Sequence, residues 1–279
     1  MLEHHVDNAS TAQSPSTNYS EGEYYSYYHP SIGGIIPKIK QDDDMEKIFY
    51  VLWRDPKVDQ ESFARTLRTE IADRLLEQGV HGLQINATDS AVSASTNYYV
   101  STHPQMEAAI HLWVDCHLPK YRQPFDDIIA RGSGRFAAYL VTESLLLRNT
   151  KHIPEPGARS YGMAMIGMGH RPAHLSYEAY VEKMFEYGPI AMASLATFSY
   201  QQNIVTRVLT PGAPQFASLV EECFPEESIT DPYALYGAAG DEEKYQRNMN
   251  AMIEGIASFT DWDKVDAFPT SQYLIKSVS

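Results

Sequence analysis

Cysteine is nearly absent: only Cys116 and Cys223 occur in 279 residues. Neither a disulfide framework nor a cysteine-rich zinc site can be built from two thiols, and a reducing, cytoplasmic setting is the expectation. Basic residues are also few, 22 Lys and Arg against 36 Asp and Glu, for a formal charge of -14 at pH 7. A phosphate backbone needs a dense basic face, so nucleic acid is excluded as a partner. No uninterrupted apolar run reaches the roughly 18 residues of a membrane span. The N-terminus, Met1-Leu2-Glu3-His4-His5, runs on without the apolar core of a secretory signal. A glycine-rich phosphate loop, a Gly-x-Ser-x-Gly elbow and a His-Glu-x-x-His helix are all missing, which argues against nucleotide cofactors, serine hydrolysis and zinc peptidase chemistry. No cofactor and no metal are expected.

What is present divides the chain into an arm and two similar halves. Residues 1–45 hold few aliphatics, end near Asp42-Asp43-Asp44 and carry the stretch Tyr24-Tyr25-Ser26-Tyr27-Tyr28-His29-Pro30. This composition predicts a disordered, tyrosine-rich arm. Aromatics are unusual in solvated tails, so the alternative is an arm packed on the body or on another subunit, and a homodimer would be sought there first.

The first half, 46–152, reads β-α-β-β-α-β. Strands are expected over 48–54, 80–88, 108–117 and 135–145. Asp59 caps a helix over 60–78 that carries Phe63, Leu67, Ile71 and Leu75 at helical spacing, Gly79 closes it, and a second, short helix falls within 119–133. The second half, 158–279, repeats the order. Strands are expected over 161–170, 198–209, 233–238 and 265–275, with one helix capped by Ser176 and another over 241–258. Through their first portions the halves align without a gap at an offset of about 117 residues. Arg54 meets Arg171, Glu61 meets Glu178, Gln84 meets Gln201 and Asn86 meets Asn203.

The segment Arg171-Pro172-Ala173-His174-Leu175-Ser176-Tyr177-Glu178-Ala179-Tyr180, followed by Tyr187-Gly188-Pro189 and Tyr200-Gln201-Gln202-Asn203, resembles the EthD-like branch of the dimeric α/β-barrel superfamily. The resemblance covers about residues 47 to 275 and implies an α+β fold: two ferredoxin-like βαββαβ repeats pairing into a barrel within one chain. It further implies outer helices and a ligand cavity inside the barrel or between sheet and helices. The histidine that ends the first helix in the family pattern is replaced by Tyr187 in the second half and by Glu70 in the first. Some dimeric α/β-barrels bind haem or oxidise aromatic substrates directly; His170 and His174 are the ligands that reading would use.

The residues themselves nominate chemistry in Ala109-Ile110-His111-Leu112-Trp113-Val114-Asp115-Cys116-His117, where alternation is strict. A strand sends successive side chains to opposite faces, so His111, Trp113, Asp115 and His117 share one face, expected to line the barrel. His111 and His117 are about 20 Å apart along such a strand, too far to share a metal or a proton. Asp115 and His117 lie roughly 6.6 Å apart, so that pair, or His111 with a partner from another strand, is the expected general base. The alternative is a set of structural hydrogen bonds between the halves.

Arg54 and Arg171 end equivalent strands and could hold a carboxylate or phenolate, or else pair with Glu61 and Glu178. Gln84, Asn86, Gln201 and Asn203 could stabilise an oxyanion or cross-link the sheets. Tyr50, Tyr139, Glu143 and Tyr187 offer further phenols and a carboxyl. The expectation is a cofactor-independent acid–base enzyme, of lyase, dehydratase, cyclase or isomerase type, acting on a small aromatic or polycyclic substrate at one site on the first half's side. Oxidative chemistry and a non-catalytic carrier of aromatic ligands are the alternatives.

Overall fold

The computed structural model describes residues 45–278 and two short stretches, 26–27 and 36–37. In the N-terminal unit, Ser26–Tyr27 and Ile36–Pro37 pair antiparallel. The remainder of the arm expected over residues 1–45 lies outside the described residues.

In the second unit, β1 is Glu46–Trp53 and α1 covers 60–77 as Gln60–Thr66, a π turn Leu67–Ile71 and Ala72–Glu77. Then come β2, Gly82–Ala87; β3, Ala108–Val114; α2, Pro119–Gly132; and β4, Arg135–Leu147. The second half supplies β5, Met163–Gly169; α3, Tyr177–Ser194; β6, Ser199–Val208; β7, Ser218–Phe224; α4, Glu242–Ala257; and β8, Asp266–Lys276. Caps fall where their sequence signals stand: the side chains of Asp59, Ser176 and Asp241 accept from the backbone N–H of Ser62, Ala179 and Lys244. Gly79, at φ +80°, ends α1 in the left-handed conformation a side chain would resist.

The fold is α+β, and its eight long strands close into one antiparallel barrel in the order β8-β2-β3-β1-β4-β6-β7-β5. Closure runs through β8, whose first part, Asp266 to Thr270, pairs with β5 and whose last part, Ser271 to Lys276, pairs with β2. Strand alternation sorts the side chains into two layers. Outward-facing Ile48, Tyr50, Leu52, Leu83, Ile85, Ile110 and Leu112 pack under Phe63, Leu67, Ile71 and Leu75 of α1. Inside the barrel, Phe49, Val51, Tyr139, Ile166, Leu219 and Phe268 form an apolar layer. At about 2 kcal/mol for each large side chain withdrawn from water, these layers hold the helices more firmly than propensity does.

Two expected strands are corrected. Residues 233–238 do not form one; Asp231 caps a one-turn helix, Pro232–Leu235, because proline at a first helical position presets its φ. The seventh strand is instead Ser218–Phe224, inside what reads as a loop rich in Pro and Glu. The third strand stops at Val114 rather than 117, since β1 begins opposite it at Glu46 and β2 ends its pairing at Gly82 opposite Trp113.

The long connection 88–107 leaves the first half and attaches to β8 of the second. Tyr99 exchanges both backbone hydrogen bonds with Ala267, at 3.0 and 2.8 Å, on the edge that β2 is too short to cover. Beside it the fully buried Asp266 accepts from the backbone N–H and the hydroxyl of both Ser101 and Thr102, at 2.7 to 2.8 Å. Removing that acceptor strands four donors. Asp266→Ala is expected to destabilise the protein by roughly 3 kcal/mol and to release residues 99–102 first; hydrogen exchange in that segment no faster than in the parent would contradict this assignment.

Candidate functional site

A register equivalence explains where the molecule leaves room. In the first half Leu112 of β3 stands opposite Ile48 of β1 and Leu83 of β2; in the second, Glu222 of β7 stands opposite Met165 of β5 and Tyr200 of β6. The offset of about 117 residues seen in the sequence pairs Ile48 with Met165 and Leu83 with Tyr200, so Glu222 occupies the place of Leu112. By the same register, Glu221 occupies the place of His111. The tall residues Tyr50 and Leu52 of the first half become Gly167 and Gly169, and Ile71 becomes Gly188.

The outcome is a cavity of about 170 Å³ between the outer face of the second half's strands and helices α3 and α4. A Cβ placed on Gly167 would meet only Val220, at 4.0 Å, so this glycine floors open space. Tyr187 of α3 and Met252 of α4 form one wall, Phe259 and Trp262 another, and Asn97 and Tyr99 arrive from the 88–107 connection. The Tyr187 ring lies 5.6 Å from Phe259. It fits against α4 because residue 255 is glycine, where a Cβ would come within 2.5 Å of the ring. The equivalent space in the first half is filled by Tyr50, whose hydroxyl donates to Asp126 at 3.0 Å.

Among the described residues, Glu222 is the one ionisable carboxyl in the cavity wall. Burial pushes it up to about 8, and among the described residues no side chain donates a hydrogen bond to it. Tyr187 is pushed well above the usual phenol range, first by burial and then by Glu222 and neighbouring tyrosines. At neutral pH the site therefore presents a protonated carboxylic acid in apolar, aromatic surroundings.

The expected site residues are dispersed. His111 is inside the barrel on the opposite face of the sheet, fully buried, with Nε2 3.9 Å from Glu221 and, among the described residues, no hydrogen bond to either ring nitrogen. Burial, reinforced by Lys47, holds it well below the usual imidazole range. Asp115 and His117 do not form the expected pair, because the strand ends before them. Asp115 is exposed and bonds His81 Nε2 at 2.5 Å, while His117 Nδ1 bonds Glu46 at 2.8 Å. Trp113 packs under Lys47, whose Nζ is 4.6 Å from the ring centre.

Arg54 pairs with Glu107 at 2.9 Å rather than with Glu61, and Arg171 donates to the carbonyl of Leu175. Asn86 and Asn203 are buried inside the barrel and take the cross-linking role. Gln84, Asn86 and Gln272 all donate to Glu221, at 2.7 to 2.9 Å, and Asn203 donates to the carbonyl of Leu219. Of the residues nominated from sequence for the site, only Tyr187 lines the cavity. Sequence reasoning missed Glu222, whose strand lies in a segment that reads as a loop; the one signal for the cavity is glycine in place of Tyr50 and Leu52 at the repeat offset.

No family model and no curated protein matches the sequence. The backbone is similar to those of solved structures. An anthrone oxidase-like protein is similar over 86% of this chain and 98% of its own, at 8% identity and a TM-score of 0.49. A chlorite dismutase from Candidatus Nitrospira defluvii is similar over 84% of this chain and 93% of its own, at 11% identity and a TM-score of 0.41.

Among the described residues, the cavity wall contains no histidine, cysteine or lysine. His170 lies against Phe216, 5.0 Å away, and His174 is exposed in the turn before α3. This donor set does not fit a histidine-ligated haem.

Glu222 also makes stability depend on pH. Its folded value lies above the ordinary carboxyl value, so the folded state holds a proton that the unfolded chain releases, and stability falls as pH rises from about 4.5 to about 8. Glu222→Gln removes that penalty. The variant is expected to match the parent near the acid end of this window and to melt higher than it at the alkaline end; parallel pH profiles of melting temperature would refute the assignment.

Proposed function

We propose that the protein is a cofactor-independent acid–base enzyme that moves a proton on a small, mainly apolar aromatic substrate in the second half's cavity. The reading includes two fused ferredoxin-like repeats, only one of which keeps an open cavity. The observation that carries it is Glu222: an unpaired, desolvated carboxyl at a strand position where the other half has leucine. A fully apolar residue would fit that place at lower cost, and an unpaired buried carboxyl costs stability unless it serves a purpose.

In this reading Glu222, protonated at neutral pH, is the general acid. It gives its proton to a substrate atom as negative charge develops there, and the resulting carboxylate takes a proton back at a second atom, which is the economy of an isomerase, dehydratase or cyclase. Tyr187 stands beside it as a phenol too weakly acidic to ionise, suited to donating a hydrogen bond that places the substrate. The apolar walls and the 88–107 connection keep water from competing for the proton.

Substrates are to be found by screening small aromatic and polycyclic compounds. On any that turns over, Glu222→Gln is expected to lower kcat by about 10²- to 10⁴-fold while leaving the ligand's Kd within a few-fold. The parent's kcat/KM is expected to fall as pH rises through about 8, a limb the variant lacks. Gly167→Leu fills the floor and is expected to abolish binding in a protein that still melts cooperatively. Full turnover by Glu222→Gln would sink the reading.

A further inference from the structure

Glu222 is a buried charge-bearing group without an answer inside the protein. The others are met among the described residues: Lys47 by Glu143, Arg122 by Asp126, Asp89 by Ser271 and Tyr273, Asp266 by Ser101 and Thr102, and Glu221 by side-chain amides. Glu222 is 9% exposed and has no such partner there. Its carboxyl is nevertheless within reach. The unpartnered ring nitrogens of His111 are sealed off, whereas the unpartnered oxygens of Glu222 keep accessible surface, and the residue lines the cavity. A buried carboxylate is tolerable only when something meets its charge, so the open space beside Glu222 is where its partner would sit.

The walls define the chemistry of that partner. Six wall residues are aromatic, Tyr99, Tyr187, Phe224, Tyr236, Phe259 and Trp262, and among the described residues the wall has no lysine, arginine or histidine. Aromatic rings attract a cation through their negative faces, a carboxylate attracts it more strongly at low dielectric, and neither favours an anion. We infer that this cavity is a site for small organic cations, an ammonium centre carried on an apolar or aromatic body, and that such a ligand displaces the proton of Glu222. This rests on the cavity being the ligand site proposed above, but not on Glu222 transferring a proton in turnover. On the proton-transfer reading the cation is an inhibitor, because it strips the site of its acid.

The exchange has a pH signature. Binding turns the Glu222 carboxylic acid and a free cation into a carboxylate–cation pair and a proton released to water; no bond of the ligand breaks. The empty site holds its proton up to about pH 8, so affinity for the cation rises as pH climbs to that value and levels off above it. Around Glu222 the ionisable groups on other elements are phenols: Tyr187 on α3, Tyr200 opposite it on β6, Tyr236 in the one-turn helix and Tyr99 in the 88–107 connection. Burial holds all four above the usual phenol range, so none titrates in this window. Met165 on β5 and Met252 on α4 are uncharged, and Glu221 and Cys223 beside it on β7 point to the opposite face.

The test uses the full chain, calorimetry in buffers of different ionisation enthalpy, and two probes of one shape: phenyltrimethylammonium, whose charge is fixed, and its uncharged carbon isostere, tert-butylbenzene. At pH 9 the cation is expected to bind about tenfold more tightly than the isostere. From pH 7 to pH 9 its affinity is expected to rise about tenfold, with no such rise for the isostere. Cation binding is expected to release most of a proton at pH 7 and almost none at pH 9, a readout made on the parent alone. Glu222→Gln is expected to lose the proton release and the preference for the cation while still binding the isostere, and Gly167→Leu to lose both probes. Cation binding without proton release at pH 7, a cation no tighter than the isostere at pH 9, or a preference that survives either substitution overturns the cation site. Failure of both probes to bind overturns it together with the cavity assignment. Full turnover by Glu222→Gln, with proton release still seen in the parent, leaves the cation site in place and removes only the proton-transfer reading.

Discussion

One buried carboxylate ties the barrel together. Glu221, on β7 of the second half, accepts hydrogen bonds from Gln84 and Asn86 on β2 of the first and from Gln272 on β8, which closes the ring. Lys47 of the first half adds a second tie, donating to Glu143 and to Gln201 of the second at 2.7 Å. A charge so deep costs several kcal/mol to desolvate and is tolerable only when its lone pairs are met. Three side-chain amides meet these, in four hydrogen bonds. The strands must therefore hold a register in which donors and acceptor coincide, and a slip of one residue would turn every side chain of β7 to the wrong face.

That register creates the site as well. Adjacent residues of a strand point to opposite faces, so fixing Glu221 inside the barrel fixes Glu222 outside it, in the cavity. The two carboxyls share a strand and differ in everything else. Glu221 is surrounded by donors, whereas Glu222 has apolar and aromatic neighbours and stays protonated at neutral pH. Environment, not residue type, separates the hydrogen-bonded acid from the protonated one.

Much of this architecture was legible in the sequence, and the exceptions have physical causes. Capping residues and apolar spacing located the four main helices and seven of the eight barrel strands, and the repeat offset matched Gln84 with Gln201 and Asn86 with Asn203 on one strand face of each half. The eighth strand, β7, was hidden because acids on both of its faces break the apolar pattern of a buried strand, and each acid is accommodated only by partners distant in sequence. Asp115 and His117 followed the alternation of β3 correctly but lie past its last paired residue, and pairing length is a tertiary property that alternation does not encode. The aromatic run at 233–238 has strand-like composition, yet Asp231 and Pro232 start a helical turn there. The cavity was written as absences, two glycines opposite a tyrosine and a leucine, which become visible only when the halves are compared.

The 88–107 connection gives the molecule a further property. It belongs by sequence to the first half, yet Asn97 and Tyr99 wall the cavity of the second, and Asp266 at the start of β8 holds it in place. The half that owns the proton-bearing residue does not own its own enclosure. Splitting the chain at the linker between the halves would leave each piece with most of its strands but neither with a closed chamber. The first half fills its own equivalent space with Tyr50 and contributes the cover for the second half's cavity.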